Sequence, residues 1–128
     1  MATREAQRGQ VKHFLFVCSQ NKLRSPTAEQ IFAAYPGIET DSAGTNHDAE
    51  NPLTGELIAW ADSIFVMELT HRTKLQSRFR RHLRGQRIVC LDIADDYAFM
   101  DAALIDLLHK RMARHLPPAP GTISRCAD

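Results

Sequence analysis

The sequence predicts an α/β domain whose parallel sheet is covered by helices on both faces. Short apolar runs alternate with longer amphipathic segments, which is typical of successive β-α-β units. The first apolar run, from Phe14 to Val17, is continuous, as expected of a central strand that is buried on both faces. The length of 128 residues suits one domain with a single core.

Proline and glycine delimit the first helix. Residues 24–35 predict a helix because Pro26 is tolerated in a first turn, whereas Pro36 followed by Gly37 ends a helix. A second strand is predicted at residues 38–42.

The rest of the chain predicts two more strands and three more helices. Thr70 can act as the N-cap of the longest helix, in which Leu75, Phe79 and Leu83 recur every four residues. Asp101 can cap the last helix in the same way. In chain order these elements are a short helix at 52–61, a strand at 63–67, a helix at 71–84, a strand at 87–93 and a helix after Asp101.

Composition excludes several classes of protein. The chain is 44% hydrophobic and 24% charged, which is ordinary for a globular protein. No apolar run approaches the roughly 18 residues that a membrane span requires, and the first residues hold no secretory signal. The three cysteines, Cys18, Cys90 and Cys126, are too few and too scattered for a disulfide framework. We therefore expect a cytoplasmic protein that does not engage a membrane and keeps its cysteines as thiols.

The domain boundaries follow from polar and proline-rich ends. Residues 1–12 predict a flexible leader, residues 13–116 a single domain and residues 117–128 a tail that begins with a proline-rich stretch. The six histidines show no metal-binding spacing, so we expect no metal ion. The sequence does not predict an oligomeric state.

A basic segment spans residues 72–87. No acidic residue stands between Glu68 and Asp92. One interpretation is a solvated helix face, and the other is a site for an acidic partner such as a nucleic acid. The seven cations are Arg72, Lys74, Arg78, Arg80, Arg81, Arg84 and Arg87.

The loop after the first strand carries the residues that point to chemistry. Cys18 follows that strand and Arg24 begins the next helix, which is where an α/β fold places phosphate-binding loops. Backbone N–H groups and the positive helix end there favour both a bound phosphate and a cysteine thiolate. Arg24 offers a planar fork for two phosphate oxygens, and Ser25 can donate a hydrogen bond to the sulfur. The loop residues between them are Ser19, Gln20, Asn21, Lys22 and Leu23.

Two motifs resemble the low-molecular-weight protein tyrosine phosphatase family. They are Val17-Cys-Ser-Gln-Asn-Lys-Leu-Arg-Ser-Pro-Thr-Ala-Glu29 and Asp41-Ser-Ala-Gly-Thr45, within a resemblance that covers about residues 13–115. The resemblance implies a four-stranded parallel sheet in a three-layer sandwich. It also implies a phosphatase that needs no cofactor and forms a thiophosphate intermediate on a cysteine.

The resemblance also implies roles for individual residues. Cys18 matches the nucleophile, Arg24 the phosphate clamp and Ser25 the serine that steadies the thiolate. Asn21 matches an asparagine of unusual backbone conformation, and Ser42 matches the serine that braces this asparagine.

The general acid is expected among three aspartates. The family carries Asp-Pro-Tyr after its last strand, and the comparable stretch here is Asp92-Ile-Ala-Asp-Asp-Tyr97. Alignment on the tyrosine favours Asp95, with Asp92 second and Asp96 third, although acidic residues there could also simply solvate a turn. Tyr97 is the aromatic candidate for stacking on a substrate ring.

Departures from the family leave the substrate open. Residues 46–62 are shorter than the corresponding family segment, and Lys22 and Leu23 stand where the family often has an apolar residue and a second cysteine. The leading hypothesis is a phosphotyrosine-type phosphomonoesterase. The alternatives are the same chemistry on a nucleotide or an RNA-terminal phosphate, an arsenate reductase, and a phosphate-binding module without catalysis.

Residues outside the loop have simpler interpretations. Cys90 is expected to be a buried thiol in the last strand, and Trp60 to belong to the core or its rim. His71 and His82 are expected at the surface of the basic helix. Glu68 could face the cleft, but a carboxylate that starts a helix is the simpler account.

Overall fold

The computed structural model describes residues 11–116, and these form a four-stranded parallel sheet in the order β2-β1-β3-β4. The strands are β1 (Lys12–Cys18), β2 (Ile38–Gly44), β3 (Ser63–Val66) and β4 (Arg87–Cys90). The apolar first strand therefore lies inside the sheet, paired with β2 on one side and β3 on the other, as predicted.

Helices cover both faces of the sheet. They are α1 (Arg24–Phe32), α2 (Gly55–Trp60), α3 (Leu69–Arg78) and α4 (Ala102–Met112), with short 3-10 turns at Arg80–His82 and Ala113–His115. The α1 and α4 helices pack on one face, where Phe16 stacks against Phe32 and Phe65 at ring distances of 5.8 and 5.4 Å. The α2 and α3 helices pack on the other face. The three-layer sandwich is confirmed.

Capping explains where two of the helices begin. The Asp101 side chain accepts a hydrogen bond from the amide of Ala103 at 2.8 Å, which confirms it as the N-cap of α4. The prediction of Thr70 as the cap of α3 is wrong. Glu68 is the N-cap, because its side chain and that of His71 each bond the other's backbone in a capping box.

Several element ends differ from the prediction. The α3 helix stops at Arg78, and the following turn at Arg80–His82 completes the span that had been predicted as one helix. The α1 helix ends at Phe32, where the amide of Tyr35 donates to the Phe32 carbonyl and turns the chain. The pairing of β2 continues to Gly44, two residues further than predicted.

The predicted termini lie largely outside the described residues. Strand β1 begins at Lys12, so this residue belongs to the sheet and not to the predicted leader. Residues 1–10 of that leader and the tail at 117–128 remain predictions. Within residues 11–116, every helix is too short or too polar to cross a membrane.

Candidate active site

The loop between β1 and α1 lies at the carboxyl edge of the sheet. The chain leaves β1 toward β2 on one side, while β3 lies on the other, and such a switch point is where doubly wound sheets bind ligands. Cys18 and Arg24 bound this loop, and each is 3% exposed. Both residues therefore lie buried at the two ends of one loop.

Hydrogen bonds surround the Cys18 sulfur. The amide of Asn21 donates to Sγ at 3.2 Å, and the Ser25 hydroxyl lies 2.9 Å from Sγ. The side-chain amide of Asn21 donates to the same hydroxyl oxygen at 2.9 Å. Since that oxygen already accepts, its hydrogen is available to the sulfur. Two donors therefore converge on Sγ.

The backbone of the loop is curved so that its carbonyls point away from the site. Asn21 has a φ of 59°, in the left-handed region that asparagine tolerates. The carbonyls of residues 18–20 accept hydrogen bonds from amides in the segment at 45–50, at distances of 2.9 to 3.0 Å. Because these carbonyls are hydrogen-bonded on the outside of the loop, the loop amides remain available to surround a bound anion.

Gly44 permits the close approach of that segment. A Cβ atom at Gly44 would lie 2.5 Å from the Ser19 carbonyl oxygen and 2.5 Å from the Ala49 side chain. Only a residue without a side chain fits here, so the second motif supports the loop formed by the first.

The guanidinium of Arg24 is held from one side. Its Nη1 donates to Glu68 Oε2 and to the Ile93 carbonyl, both at 2.8 Å. These two bonds use both hydrogens of Nη1, so Nε and Nη2 form the remaining edge of the fork. This edge has the spacing that grips two oxygens of a phosphate. Glu68 therefore has both of the roles that the sequence suggests: it lies in the cleft, and it starts the α3 helix.

Asp95 lies over the same pocket. Its Oδ1 is 3.8 Å from Nε of Arg24, and its side chain is 65% exposed. The pocket has a volume of about 160 Å³. Its lining residues are Cys18, Ser19, Gln20, Lys22, Leu23, Arg24 and Asp95.

The other candidates for acid and aromatic contact do not line this pocket. Asp92 faces a different groove, beside Arg87 and the α4 helix. Asp96 is exposed and does not line the pocket, and Tyr97 packs against the core that α1 and α4 share. The geometry therefore favours Asp95 among the three aspartates, and it does not support Tyr97 as a stacking platform.

Ser42 has a different partner from the one expected. Its hydroxyl donates to a carboxylate oxygen of Glu29 in α1, whereas the Asn21 amide bonds Ser25 instead. The prediction that Ser42 braces Asn21 directly is therefore wrong. Ser42 ties β2 to the helix that follows the loop.

His71 belongs to the site although its position in the sequence predicts an exposed residue. It was expected at the surface, but it is 1% exposed and its Nε2 lies 2.9 Å from the Ser19 hydroxyl. Its Nδ1 accepts the amide hydrogen of Glu68 at 3.0 Å, so the ring proton lies on Nε2 and is donated to Ser19. Burial, followed by the charge of Arg24, lowers the pKa of His71 to about 4. A Glu-x-x-His spacing at a strand end is the capping signal that could have revealed it.

The remaining predicted residues lie away from the pocket. Cys90 is half-buried in β4 instead of fully buried, and Cys126 lies outside the described residues. Trp60 is partly buried and stacks on His13 at 4.6 Å, as expected of a rim residue. His82 is exposed, as predicted. No cluster of three metal-ligating side chains occurs between Val11 and Leu116.

The cations of the basic segment are all exposed. Two of them bond backbone carbonyls of neighbouring loops, since Arg78 donates to Thr45 and Arg84 to Ala59 and Ala61. None of the seven lines the pocket of Cys18. The nucleic-acid partner suggested for this segment stays a prediction.

Comparisons with known proteins agree with this geometry. The family model of the low molecular weight phosphotyrosine protein phosphatase matches residues 13–63. No curated protein matches the chain significantly. Among solved structures, the YwlE arginine phosphatase from Geobacillus stearothermophilus is 25% identical, with 81% of this chain and 92% of that chain covered and a TM-score of 0.65.

Two tyrosine phosphatases share the fold at lower identity. Wzb from Escherichia coli K30, in complex with phosphate, is 21% identical over 82% of this chain and 96% of its own, with a TM-score of 0.66. A low molecular weight protein tyrosine phosphatase from T. tengcongensis is 22% identical over 82% of this chain and 99% of its own, also with a TM-score of 0.66. The match to the family model over residues 13–63 and the shared fold show that this chain is similar to the low molecular weight phosphotyrosine protein phosphatases.

Proposed function

We propose that the protein hydrolyses phosphate monoesters of the phosphotyrosine type through a thiophosphate intermediate on Cys18. One observation carries this proposal. The buried sulfur receives hydrogen bonds from Asn21 and Ser25 and lines one pocket with the Arg24 fork and the Asp95 carboxyl group. Nucleophile, anion clamp and acid are therefore available to the same small ligand.

Binding places the phosphate between the loop and Arg24. The loop amides and the free edge of the guanidinium hold the non-bridging oxygens, because each is a donor aimed at a negative charge. Glu68 keeps the guanidinium in place by its 2.8 Å bond to Nη1. The binding geometry thus exists before the substrate arrives.

The first chemical step transfers the phosphoryl group to sulfur. The Cys18 thiolate attacks phosphorus, the S–P bond forms, and the bond between phosphorus and the ester oxygen breaks. Asp95 in its protonated form gives its proton to the leaving oxygen. The products are an alcohol or phenol and a phosphocysteine.

The second step restores the enzyme. Water attacks phosphorus and gives its proton to the Asp95 carboxylate, while the S–P bond breaks and inorganic phosphate leaves. The sulfur departs as a thiolate, which the hydrogen bonds from Asn21 and Ser25 stabilise. Asp95 is then protonated again for the next cycle.

The pocket supports an aryl phosphate as substrate. Its mouth carries Leu23, which is 37% exposed and offers an apolar surface to a ring, and Lys22, which offers a cation. The cations of the basic segment lie outside this pocket, so its geometry gives no support to a nucleotide or RNA end. Cys90 lies outside it too, which speaks against a relay of cysteines as in arsenate reduction. A thiolate enzyme of this kind requires a reducing compartment, and we place it in the cytoplasm.

Hydrolysis of an aryl phosphate in the presence of a chelator tests this proposal. We expect turnover by the wild-type chain, none by Cys18→Ser, and a loss in Asp95→Asn that is largest for esters with poor leaving groups. Asp92→Asn is the matched control, because Asp92 does not line the pocket. If Cys18→Ser keeps wild-type turnover, the proposal is wrong. If wild-type binds phosphate without turnover, the chain is a binding module.

A further inference from the structure

A second concave surface lies along the outer edge of β4, which is the edge strand opposite β2. This groove, which we call the cationic groove, has a volume of about 650 Å³. Its rim carries four cations contributed by β4, α4 and the turn after α4: Arg87, Lys110, Arg111 and Arg114. Its floor is formed by the side chains of Val89, Leu91 and Leu107.

The charges of the cationic groove are poorly compensated. Within residues 11–116, only Lys110 of these four has an ion-pair partner, Asp106 at 3.2 Å. Asp92 is the one carboxylate among the lining residues of the groove. The pKa of His115 is lowered by burial and by the charges of Arg87 and Arg114, so these two cations act on the same small volume. Such a concave, positive surface attracts anions.

Within residues 11–116, no strand pairs with the outer edge of β4, the strand at the base of the groove. The amides of Leu91 and Ile93 donate to the carbonyls of Val66 and Met67, so the amides of every second residue face β3. By strand alternation, the backbone groups of Ile88 and Cys90 point away from the sheet. An extended chain lying beside β4 would therefore meet unpaired donors and acceptors. Strand β4 spans four residues, Arg87–Cys90, so its edge is roughly 13 Å long and suits about four extended residues.

One end of the cationic groove approaches the catalytic pocket. Asp92 lines the groove, and Asp95, three residues further along the chain, lines the pocket of Cys18. A peptide that lies along β4 would therefore continue toward the loop that carries Asp95. This continuity links the groove to the substrate of the proposed reaction.

We propose that the cationic groove binds an extended acidic segment of the phosphoprotein substrate, next to the phosphorylated residue. The proposal rests on the proposed function. The open strand edge and the apolar floor favour a peptide over a nucleic acid, because alternate side chains of an extended peptide can meet the floor while the others meet the cations.

Peptide binding to the full chain tests the cationic groove without any catalytic step. The probe is a labelled, unphosphorylated peptide in which glutamate alternates with valine, and fluorescence anisotropy measures its dissociation constant. The groove variant combines Arg111→Gln with Arg114→Gln. The control variant combines Arg72→Gln with Arg80→Gln, which removes the same charge from exposed positions outside the groove.

We expect binding about tenfold weaker in the groove variant and within about twofold of wild type in the control, as for two ion pairs lost near the surface. With a phosphotyrosine peptide that carries acidic flanks, KM should rise by a similar factor in the groove variant while kcat stays unchanged. Turnover of a small aryl phosphate should be unchanged in both variants.

Three results would decide whether the cationic groove binds an acidic peptide. Equal weakening in the two variants would show that net charge alone attracts the peptide, and would overturn the proposal. Tighter binding of a single-stranded oligonucleotide, lost in the groove variant, would assign the groove to nucleic acid and also overturn it. Groove-dependent peptide binding by a chain that hydrolyses no phosphate ester would support the groove while rejecting the proposed function.

Discussion

Replacing His71 by asparagine should remove much of the acid sensitivity of the fold. His71 is buried, and its pKa is lowered to about 4 by burial and by Arg24. In the unfolded chain the pKa of a histidine is about 6.5, so below that pH the unfolded state binds a proton that the folded state refuses. His71 therefore lowers the stability as the pH falls from about 6.5 to about 4, and below pH 4 this contribution stays constant.

The magnitude follows from the two pKa values. Linkage gives a loss of about 2 kcal/mol between pH 7 and pH 5, and at most about 3 kcal/mol below pH 4. The side-chain oxygen of asparagine can still accept the Glu68 amide, but the shorter side chain loses the bond to Ser19. We therefore expect His71→Asn to be about 1 to 3 kcal/mol less stable than wild type at pH 7. That deficit should shrink by about 2 kcal/mol at pH 5.

Urea unfolding of both proteins at pH 7 and pH 5 measures these free energies. His82→Asn is the matched control, since His82 is exposed and its loss removes an imidazole without opening the site. A difference between His71→Asn and wild type that is the same at both pH values would refute a neutral, buried His71.

Three further substitutions test the loop and the core. Gly44→Ala should lower kcat/KM for an aryl phosphate about 100-fold, because its Cβ would displace the Ser19 carbonyl. Gly55→Ala is the control and should leave kcat/KM within about twofold, since the atoms nearest its Cβ belong to the movable ring of His82. Equal effects of the two substitutions would contradict the role of Gly44. Arg24→Lys should weaken inhibition by inorganic phosphate at least about tenfold, because the two-pronged grip is lost, and unchanged inhibition would argue against the clamp. Leu108→Ala should cost about 2 to 5 kcal/mol in urea unfolding, since Leu108 is fully buried, and a cost below about 1 kcal/mol would contradict its place in the core.

Local signals in the sequence were sufficient to predict the sheet and the loop after its first strand. Continuous apolar runs located three of the four strands, and β2 was predicted as the segment after the helix end at Pro36 and Gly37. Proline, glycine and Asp101 marked the ends of elements within a few residues. Cys18 and Arg24 could be paired because both lie at the ends of neighbouring elements, and the chain between them is short. Asn21 adopts the expected positive φ for the same reason, since the conformation is local to the loop.

Contacts between distant segments could not be predicted from the sequence. His71 bonds Ser19, which lies 52 residues earlier, and its burial depends on how α3 packs against the loop. Ser42 bonds Glu29 because β2 lies beside α1, a contact that the motif itself does not specify. The choice of Asp95 over Asp92 likewise needed the path of the chain after β4, which turns the two side chains toward different cavities.

The covalent intermediate on Cys18 is the most direct test of the proposed reaction. Rapid quenching of wild-type enzyme during turnover of a labelled aryl phosphate, followed by peptide mapping, locates any phosphate bound to the chain. We expect one phosphate on the sulfur of Cys18, formed in a burst before steady turnover and absent from Cys18→Ser. Turnover without phosphorylated Cys18, or phosphate bound to another residue, would contradict it.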